Sequence, residues 1–540
     1  MSPETRKNLL TAATYAGVLF LGLLLGQSFV NENAKSKTGV VPSVLIDKNG
    51  KLQRLMQIVN DEYVDVVGID TLQDFAIKEV LSHLDPHSTY MPPTLAKTIG
   101  EDLNGSFDGI GLEYYRLRDT LMVTSLTVGG PAEQAGVQMG DKLIGVDDKP
   151  ISGVHMDEQE VAARVRGKRG SIVNLWVNRK GVDLAHPIKV TRNKITVSSI
   201  DAAYIIDTAI AYIKIKRFGA QTADDFRKNL SRMKQYGVNK LILDLRENSG
   251  GYLRSATALA SEFFKEKKLL VYTQGAHEPK TAYYSSGNGI FDKGKLAILI
   301  DERSASASEI VAGAVQDLDR GLVIGRRSFG KGLVQDQYNF DDGSAVNLTI
   351  ARYYTPSGRS IQKSYKDGFD NYFNEINRRY VSGELTNNRE GTPIVDTSIF
   401  KGLLYHTSAG RPIYGGGGIM PDIYVPLDTL GINSFYKKVV KASLINDYVY
   451  SNLVNTPPDF SIDHYSEHYQ LPKDTYTNFV KLAKEKGIDV NFAEARVSRK
   501  LIESDMKALV ARFFFGGEAY FKIRNRSDHL LVRAIEALKS

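Results

Sequence analysis

The stretch Lys240-Leu-Ile-Leu-Asp-Leu-Arg-Glu-Asn-Ser-Gly-Gly251 carries a buried strand run, Lys240–Arg246, into a glycine-rich turn. A run with so little polar alternation fits a strand covered on both faces, as in a parallel sheet between helices. The flanking sequence repeats the theme. Ala209–Ile215 reads as an apolar strand, Thr222–Gln235 as an amphipathic helix, and Ser255–Phe264 as a second helix. Strand Leu296–Ile300 leads straight into Ser304-Ala-Ser-Ala-Ser-Glu309 and helix Ile310–Leu318. Strand Leu322–Ile324 precedes the turn in Ser328-Phe-Gly-Lys-Gly-Leu-Val-Gln335. This alternation predicts an α/β layer with a largely parallel sheet and functional residues at strand-to-helix turns.

Outward from that core the pattern changes. Residues 46–103 read as helical, with Leu52, Leu55, Ile58, Val59 and Tyr63 at helical spacing, until the turn Leu84-Asp-Pro-His-Ser-Thr-Tyr90. Asp85 and His87 there read as a proline turn with an Asp cap. Residues 104–192 change to short strands, with a helix at Met156–Val165 and a strand at Ser171–Arg179. The core spans 193–431. From 432 to 540 two or three helices are expected, Phe435–Val449, Tyr476–Lys486 and Val497–Phe514, on an amphipathic tail that carries no readable motif. The fold class expected is therefore mixed α/β and α+β, multidomain.

Composition narrows the function classes. A chain of 540 residues fits two to four domains. The net charge of +7 is small, and no basic block with interleaved aromatics suggests nucleic acid. Cysteine is absent, which excludes disulfides, thiolate metal sites, a cysteine nucleophile and a lipoprotein anchor. Residues 9–30 are uncharged and mostly apolar, after Arg6 and Lys7. As a helix they would rise roughly 33 Å, enough to span a bilayer. No clear Ala-x-Ala cleavage site follows. Residues 1–30 are thus expected to be a cytoplasmic start and uncleaved inner-membrane anchor, with a cleaved signal as the alternative, and 31–45 a linker. The body would then lie in the periplasm.

Ser306 and Lys331 suggest a nucleophile and base that hydrolyse acyl bonds without histidine. Ser306-Ala-Ser-Glu309 also matches a capping box, the commoner meaning of that string. A serine at a helix N-terminus nevertheless sits where an oxyanion is best tolerated. Ala307 N–H would be one donor, and Gly250 or Gly251 the second, since glycine permits close backbone approach. A lysine in water holds its proton up to a pKa of about 10.4, so a value near 7 requires roughly 4.6 kcal/mol of destabilisation of the ammonium. Burial among Phe329, Leu333 and Val334 without a carboxylate partner would provide this. Gln335 would orient the amine without adding negative charge. Asn248-Ser-Gly-Gly251 superficially looks like a trypsin-like nucleophile loop, but it joins a parallel-type strand to a helix.

Gly109-Ile-Gly-Leu112, Gly129-Gly-Pro-Ala-Glu-Gln-Ala-Gly136 and Gly140-Asp-Lys-Leu-Ile-Gly-Val-Asp147 make 104–192 resemble a PDZ domain. Gly109, Ile110, Gly111 and Leu112 would then converge on a peptide's terminal carboxylate, with the next strand edge accepting the peptide as an added strand. Over about Leu84–Val425 the chain resembles the C-terminal processing peptidases, or tail-specific proteases. The carriers are the Leu84–Tyr90 string, the PDZ strings, Leu243–Gly251, Ser304–Ile310 and Phe329–Gln335. Tyr354-Thr-Pro-Ser-Gly-Arg-Ser-Ile-Gln362 and Gly418-Ile-Met-Pro-Asp-Ile423 complete the set.

The resemblance implies a crotonase-like protease core with an inserted PDZ domain. It places the nucleophile on Ser306, the base on Lys331 and the assisting glutamine on Gln335. It implies no metal or cofactor, and C-terminal tails of proteins as substrates. Asp317 matches an acidic position of some members. It lies roughly 16 Å along the helix from Ser306, so a structural hydrogen-bonding role is expected. The helical regions offer surfaces for a homodimer or an adaptor protein. Two rivals remain: a dead PDZ scaffold, which would lack one of the three catalytic positions, and a penicillin-recognising Ser–Lys enzyme, which would need Ser-x-x-Lys on one helical turn.

Overall fold

The computed structural model describes residues 50–154, 156–386, 403–458 and 461–540. The expected membrane segment 9–30 and linker 31–45 lie outside the described residues. Among those described, no helix is long and apolar enough to cross a membrane.

The chain divides into two units. The larger is built on a six-stranded sheet whose spatial order follows the sequence: β1 (Ile200–Asp207), β2 (Ile210–Ile215), β3 (Lys240–Asp244), β4 (Lys295–Ile300), β5 (Leu322–Gly325) and β6 (Ile423–Tyr424). β1 and β2 form an antiparallel pair, and β2 to β6 run parallel. Helices α1 (Thr222–Lys234), α2 (Leu253–Ser261) and α3 (Ala307–Asp317) connect successive parallel strands. Crossovers of one hand, all stepping the same way, leave their helices on one face.

The side chains confirm that division. Leu241, Leu243, Ile298 and Ile300 pack with Phe226 of α1, Leu259 of α2 and Val311 of α3. Their alternates Ile242, Ala297 and Leu299 face the other way, as the two-residue period of a strand requires. That second face is covered from the far end of the sequence: α4 (His529–Lys539) lays Leu530, Leu531, Ala534 and Leu538 against it. The expected parallel layer is thus present. An antiparallel sheet adjoins it, in which Leu269–Gln274 pairs with Thr281–Tyr284 and with the end of Ala345–Tyr354 (Thr273 opposite Tyr353).

The β-module expected at 104–192 has its own core, including Leu121, Val123, Leu143, Val161 and Val173. Its helix is Glu158–Val165, shorter than expected at the start because Asp157 caps it by accepting Glu160 N–H at 2.7 Å. Strand Leu112–Leu117 lies at one edge of the sheet. Its outward residues reach the C-terminal helices. Tyr115 donates its hydroxyl to Asp447 at 2.8 Å, and Arg512 pairs with Glu113 at 3.1 Å.

The C-terminal region departs from expectation. The single helix expected over Phe435–Val449 is two, Ser434–Lys441 and Leu444–Asn452, because Ser443 adopts a left-handed backbone (φ +53°). Ile462–His468, Gly517–Arg524 and α4 are additional to the expected helices. Phe492–Phe515 is longer than expected, with Asn491 capping two first-turn amides. The smaller unit comprises described residues 50–84, 88–93 and 336–348. It contains helices Lys51–Glu62 and Ile69–Ser82, and a short strand, Thr89–Met91, that pairs with Ala345–Asn347.

Candidate active site

Ser306 stands where β4 gives way to α3, as the helix N-cap, with φ +53° and ψ −113°. A non-glycine residue holds that region only when its surroundings fix it. Here they do. The Ser306 N–H donates to Glu309 at 2.8 Å, the return arm of a capping box. In the forward arm Glu309 N–H faces the Ser306 side chain, and it also bonds to the Ser306 carbonyl at 2.8 Å. The Ser306 hydroxyl donates to no acceptor among the described residues. Ala307 N–H, the first of the helix, has no protein acceptor among the described residues.

Lys331 is tied to the same carboxylate. Glu309 accepts the N–H groups of Lys331 (2.9 Å) and Gly330 (2.7 Å), and the Ser328 hydroxyl (2.5 Å). The Glu309 side chain is fully buried. Burial pushes its carboxyl up to about 7, against the pull of these four donors. Tyr353, also buried, donates its hydroxyl to the carbonyl of Lys331 at 2.7 Å, and Ser306's carbonyl lies 3.2 Å from the same oxygen. The sequence marks Glu309 only as a cap, and gives no sign of Tyr353.

The Lys331 amine forms no hydrogen bond or ion pair among the described residues. Burial pushes it down from its ordinary value of 10.5, and the nearby carboxylates Glu309 and Asp85 hold back part of that fall. Asp85 does form the expected turn, accepting His87 N–H at 2.9 Å. The turn also belongs to the site. Burial first, and the charge of Lys331 second, push the His87 imidazole down to about 3, so it is neutral at ordinary pH. Its Nε2 lies 2.8 Å from the Tyr372 hydroxyl, and its ring meets Phe329, Tyr372 and Phe373 edge-on. Gln335 points its amide nitrogen at Thr349 Oγ1 (3.3 Å), and Thr349 donates to Asp85 at 3.0 Å.

The glycine turn comes within contact of Ser306. A Cβ on Gly250 would stand 2.8 Å from Ser306 Cβ and 3.1 Å from Ala307 N. The Gly250 N–H, however, is taken by Asn248 Oδ1 at 2.9 Å. Gly251 N–H has no acceptor among the described residues. Asn248 fastens this turn to the serine loop, since its carbonyl accepts Ala305 N–H (3.0 Å) and the Ser308 hydroxyl (2.9 Å). Asp317 accepts from Arg359 at 2.8 Å and from Ser357 N–H at 2.9 Å, both structural contacts.

In the β-module, Gly109 pairs with Asn193 and Leu112 with Leu126. Between them the carbonyls of Ile110 and Gly111 accept from Ala132 and Thr127, both at 2.9 Å. The Ile110 and Gly111 N–H groups have no protein acceptor among the described residues. No group of three or more metal-ligating side chains stands together among the described residues.

Comparison with known proteins identifies the two parts as a peptidase domain and a recognition domain. Residues 209–369 match peptidase family S41, and residues 122–179 match the PDZ domain. Residues 435–516 match a family of unknown function. The chain is 31% identical over 363 residues to the carboxy-terminal processing protease CtpB of Bacillus subtilis, covering 65% of this chain and 72% of that protein. It is 35% identical over 313 residues to a carboxy-terminal-processing protease of Bartonella bacilliformis, covering 57% and 71%. Among solved structures, the photosystem II D1 C-terminal processing protease is 28% identical, covering 58% of this chain and 85% of that one, with a TM-score of 0.33. The chain belongs to the carboxy-terminal processing proteases, PDZ-containing serine-type peptidases of family S41.

Proposed function

We propose that this protein is an endopeptidase that binds apolar C-terminal tails in its PDZ domain and cleaves with Ser306 as nucleophile and Lys331 as base. The observation that carries the reading is the shared tether. Glu309 accepts N–H groups from both residues, while among the described residues the serine hydroxyl donates to no acceptor and the lysine amine has no hydrogen bond or ion pair. An unpaired, desolvated amine is the form of lysine that accepts a proton.

In the reaction, Ser306 Oγ attacks the scissile carbonyl carbon as its proton passes to Lys331 Nζ. The negative charge that develops on the carbonyl oxygen is met by the N–H groups of Ala307 and Gly251. Gly250 contributes by lying close rather than by donating, because its amide is engaged by Asn248. The C–N bond then breaks, the leaving amine takes the proton from Lys331, and an acyl ester remains on Ser306. Water, deprotonated by Lys331, attacks the ester and restores the serine. Gln335, whose nitrogen is directed to Thr349, would orient the amine without adding negative charge. Neither metal nor cofactor enters these steps.

At the recognition end, Ile110 and Gly111 supply free N–H groups for a tail carboxylate, and the edge strand Leu112–Leu117 accepts the tail as a further strand. A crotonase-like description of the core, anchoring to the inner membrane through residues 9–30 with a periplasmic body, and a homodimer or adaptor contact through the helical regions belong to the same proposal. Secretion after signal cleavage is its alternative. Purified protein incubated with a substrate ending in apolar residues, and with the same substrate ending in charged residues, tests the reading. The apolar-tailed substrate is cleaved and the other spared. Equal cleavage of both would count against tail selection.

A further inference from the structure

The Tyr353 hydroxyl closes the second side of the tether. Glu309 holds the N–H groups of Ser306 and Lys331, and Tyr353 stands at their carbonyls. The single hydroxyl proton is shared unequally, with its principal arm the 2.7 Å bond to Lys331 and a longer arm of 3.2 Å to Ser306. The Ser306 carbonyl has two other donors, Glu309 N–H and Ile310 N–H. The lysine carbonyl has no other donor among the described residues, so the hydroxyl matters most at the base. Tyr353 N–H also bonds the Gly332 carbonyl at 3.0 Å, so backbone and side chain grip adjacent residues of the lysine turn. The ring is buried in the core that carries α3, which gives the hydroxyl a rigid support.

We propose that Tyr353 is a positioning residue, whose hydroxyl sets the Lys331 turn against the Ser306 loop so that amine and hydroxyl meet. It touches no reacting atom. Burial keeps the phenol protonated, a donor throughout the working pH range. The inference rests on the Ser306–Lys331 reading above and adds a residue to it.

The test is Tyr353→Phe, which keeps the ring and removes only the hydroxyl. Steady-state cleavage of an apolar-tailed protein, labelling of Ser306 by a fluorophosphonate, tail-peptide binding and thermal melting are measured on wild type, Tyr353→Phe and Ser306→Ala. The expected result is a kcat lowered at least tenfold, with KM and tail affinity within twofold of wild type and labelling slowed in parallel. Wild-type kcat in a folded Tyr353→Phe protein overturns the assignment. So does failure of that variant to fold, or a loss confined to melting temperature, since the hydroxyl is then structural. Activity retained by Ser306→Ala would sink the underlying dyad instead, so the two failures are told apart.

Discussion

The N–H groups of Ser306 and Lys331 converge on one oxygen, Glu309 Oε2, at 2.8 and 2.9 Å. The helix start that carries Ser306 and the separate turn that carries Lys331 are thereby tied to one side chain. The acid sits at the third position of the helix that Ser306 caps, so it takes its place as soon as α3 forms. Only the arrival of the lysine turn completes its set of donors.

Glu309→Gln keeps the shape but turns an NH2 toward N–H donors. Hydrogen bonds to a buried charge contribute about 1.5–3 kcal/mol each. Partial loss of two lowers kcat by about a hundredfold at roughly 1.4 kcal/mol per decade, with tail binding unchanged. Cleavage kinetics and a tail-peptide titration check this. A kcat within twofold of wild type would contradict it.

The pH dependence has a definite sign. With an unprotonated Lys331 as base, and burial lowering its pKa, kcat/KM rises with pH and levels off below 10.5. Glu309 acts on stability in the opposite sense. Its pKa is raised from 4.5 to about 7, so the folded state holds a proton that the unfolded state releases. Stability therefore falls as pH rises from about 4.5 through 7. Melting wild type and Glu309→Gln across that range checks the sign: the wild type loses ground relative to the variant as pH rises.

Gly250→Ala places a methyl 2.8 Å from Ser306 Cβ at a residue with φ +112°. Left-handed strain of about 1–3 kcal/mol and displacement of the nucleophile act together. The expected outcome is loss of cleavage by more than a hundredfold, with melting lowered by only a few degrees. Cleavage near the wild-type rate would show that the turn does not bear on Ser306.

Gly111→Val tests recognition apart from chemistry. Gly111 has φ +76°, and an added Cβ would meet Thr127 and Ile195 at 3.1 Å. Tail-peptide affinity falls at least tenfold, while fluorophosphonate labelling of Ser306 proceeds as before. Unchanged tail affinity would remove Gly111 from the binding loop.

Much of the core is legible in the sequence because its strands are near-continuous aliphatic runs, whose length and period leave little choice. β3 ends at Asp244 rather than Arg246 because the Asp244 carboxylate accepts the Arg246 N–H at 2.9 Å and turns that amide away from the sheet, a contact no local pattern announces. Ser306 and Lys331 stand out through their motifs. Glu309 is visible only as a cap, since its bonds to Gly330 and Lys331 exist only after two distant turns meet. Asp85 and His87 read correctly as a turn, but their electrostatic role at Lys331 depends on the tertiary fold. The tail hides most. A left-handed Ser443 interrupts the helical pattern, and α4 covers a sheet whose first five strands lie more than two hundred residues earlier in sequence.

The most direct test of the account is mass spectrometry of protein acid-quenched during turnover of an apolar-tailed substrate. The account predicts a substrate-derived acyl group on Ser306 in the wild type and none in Lys331→Ala. An acyl group on another residue, or full turnover by Ser306→Ala, would contradict it.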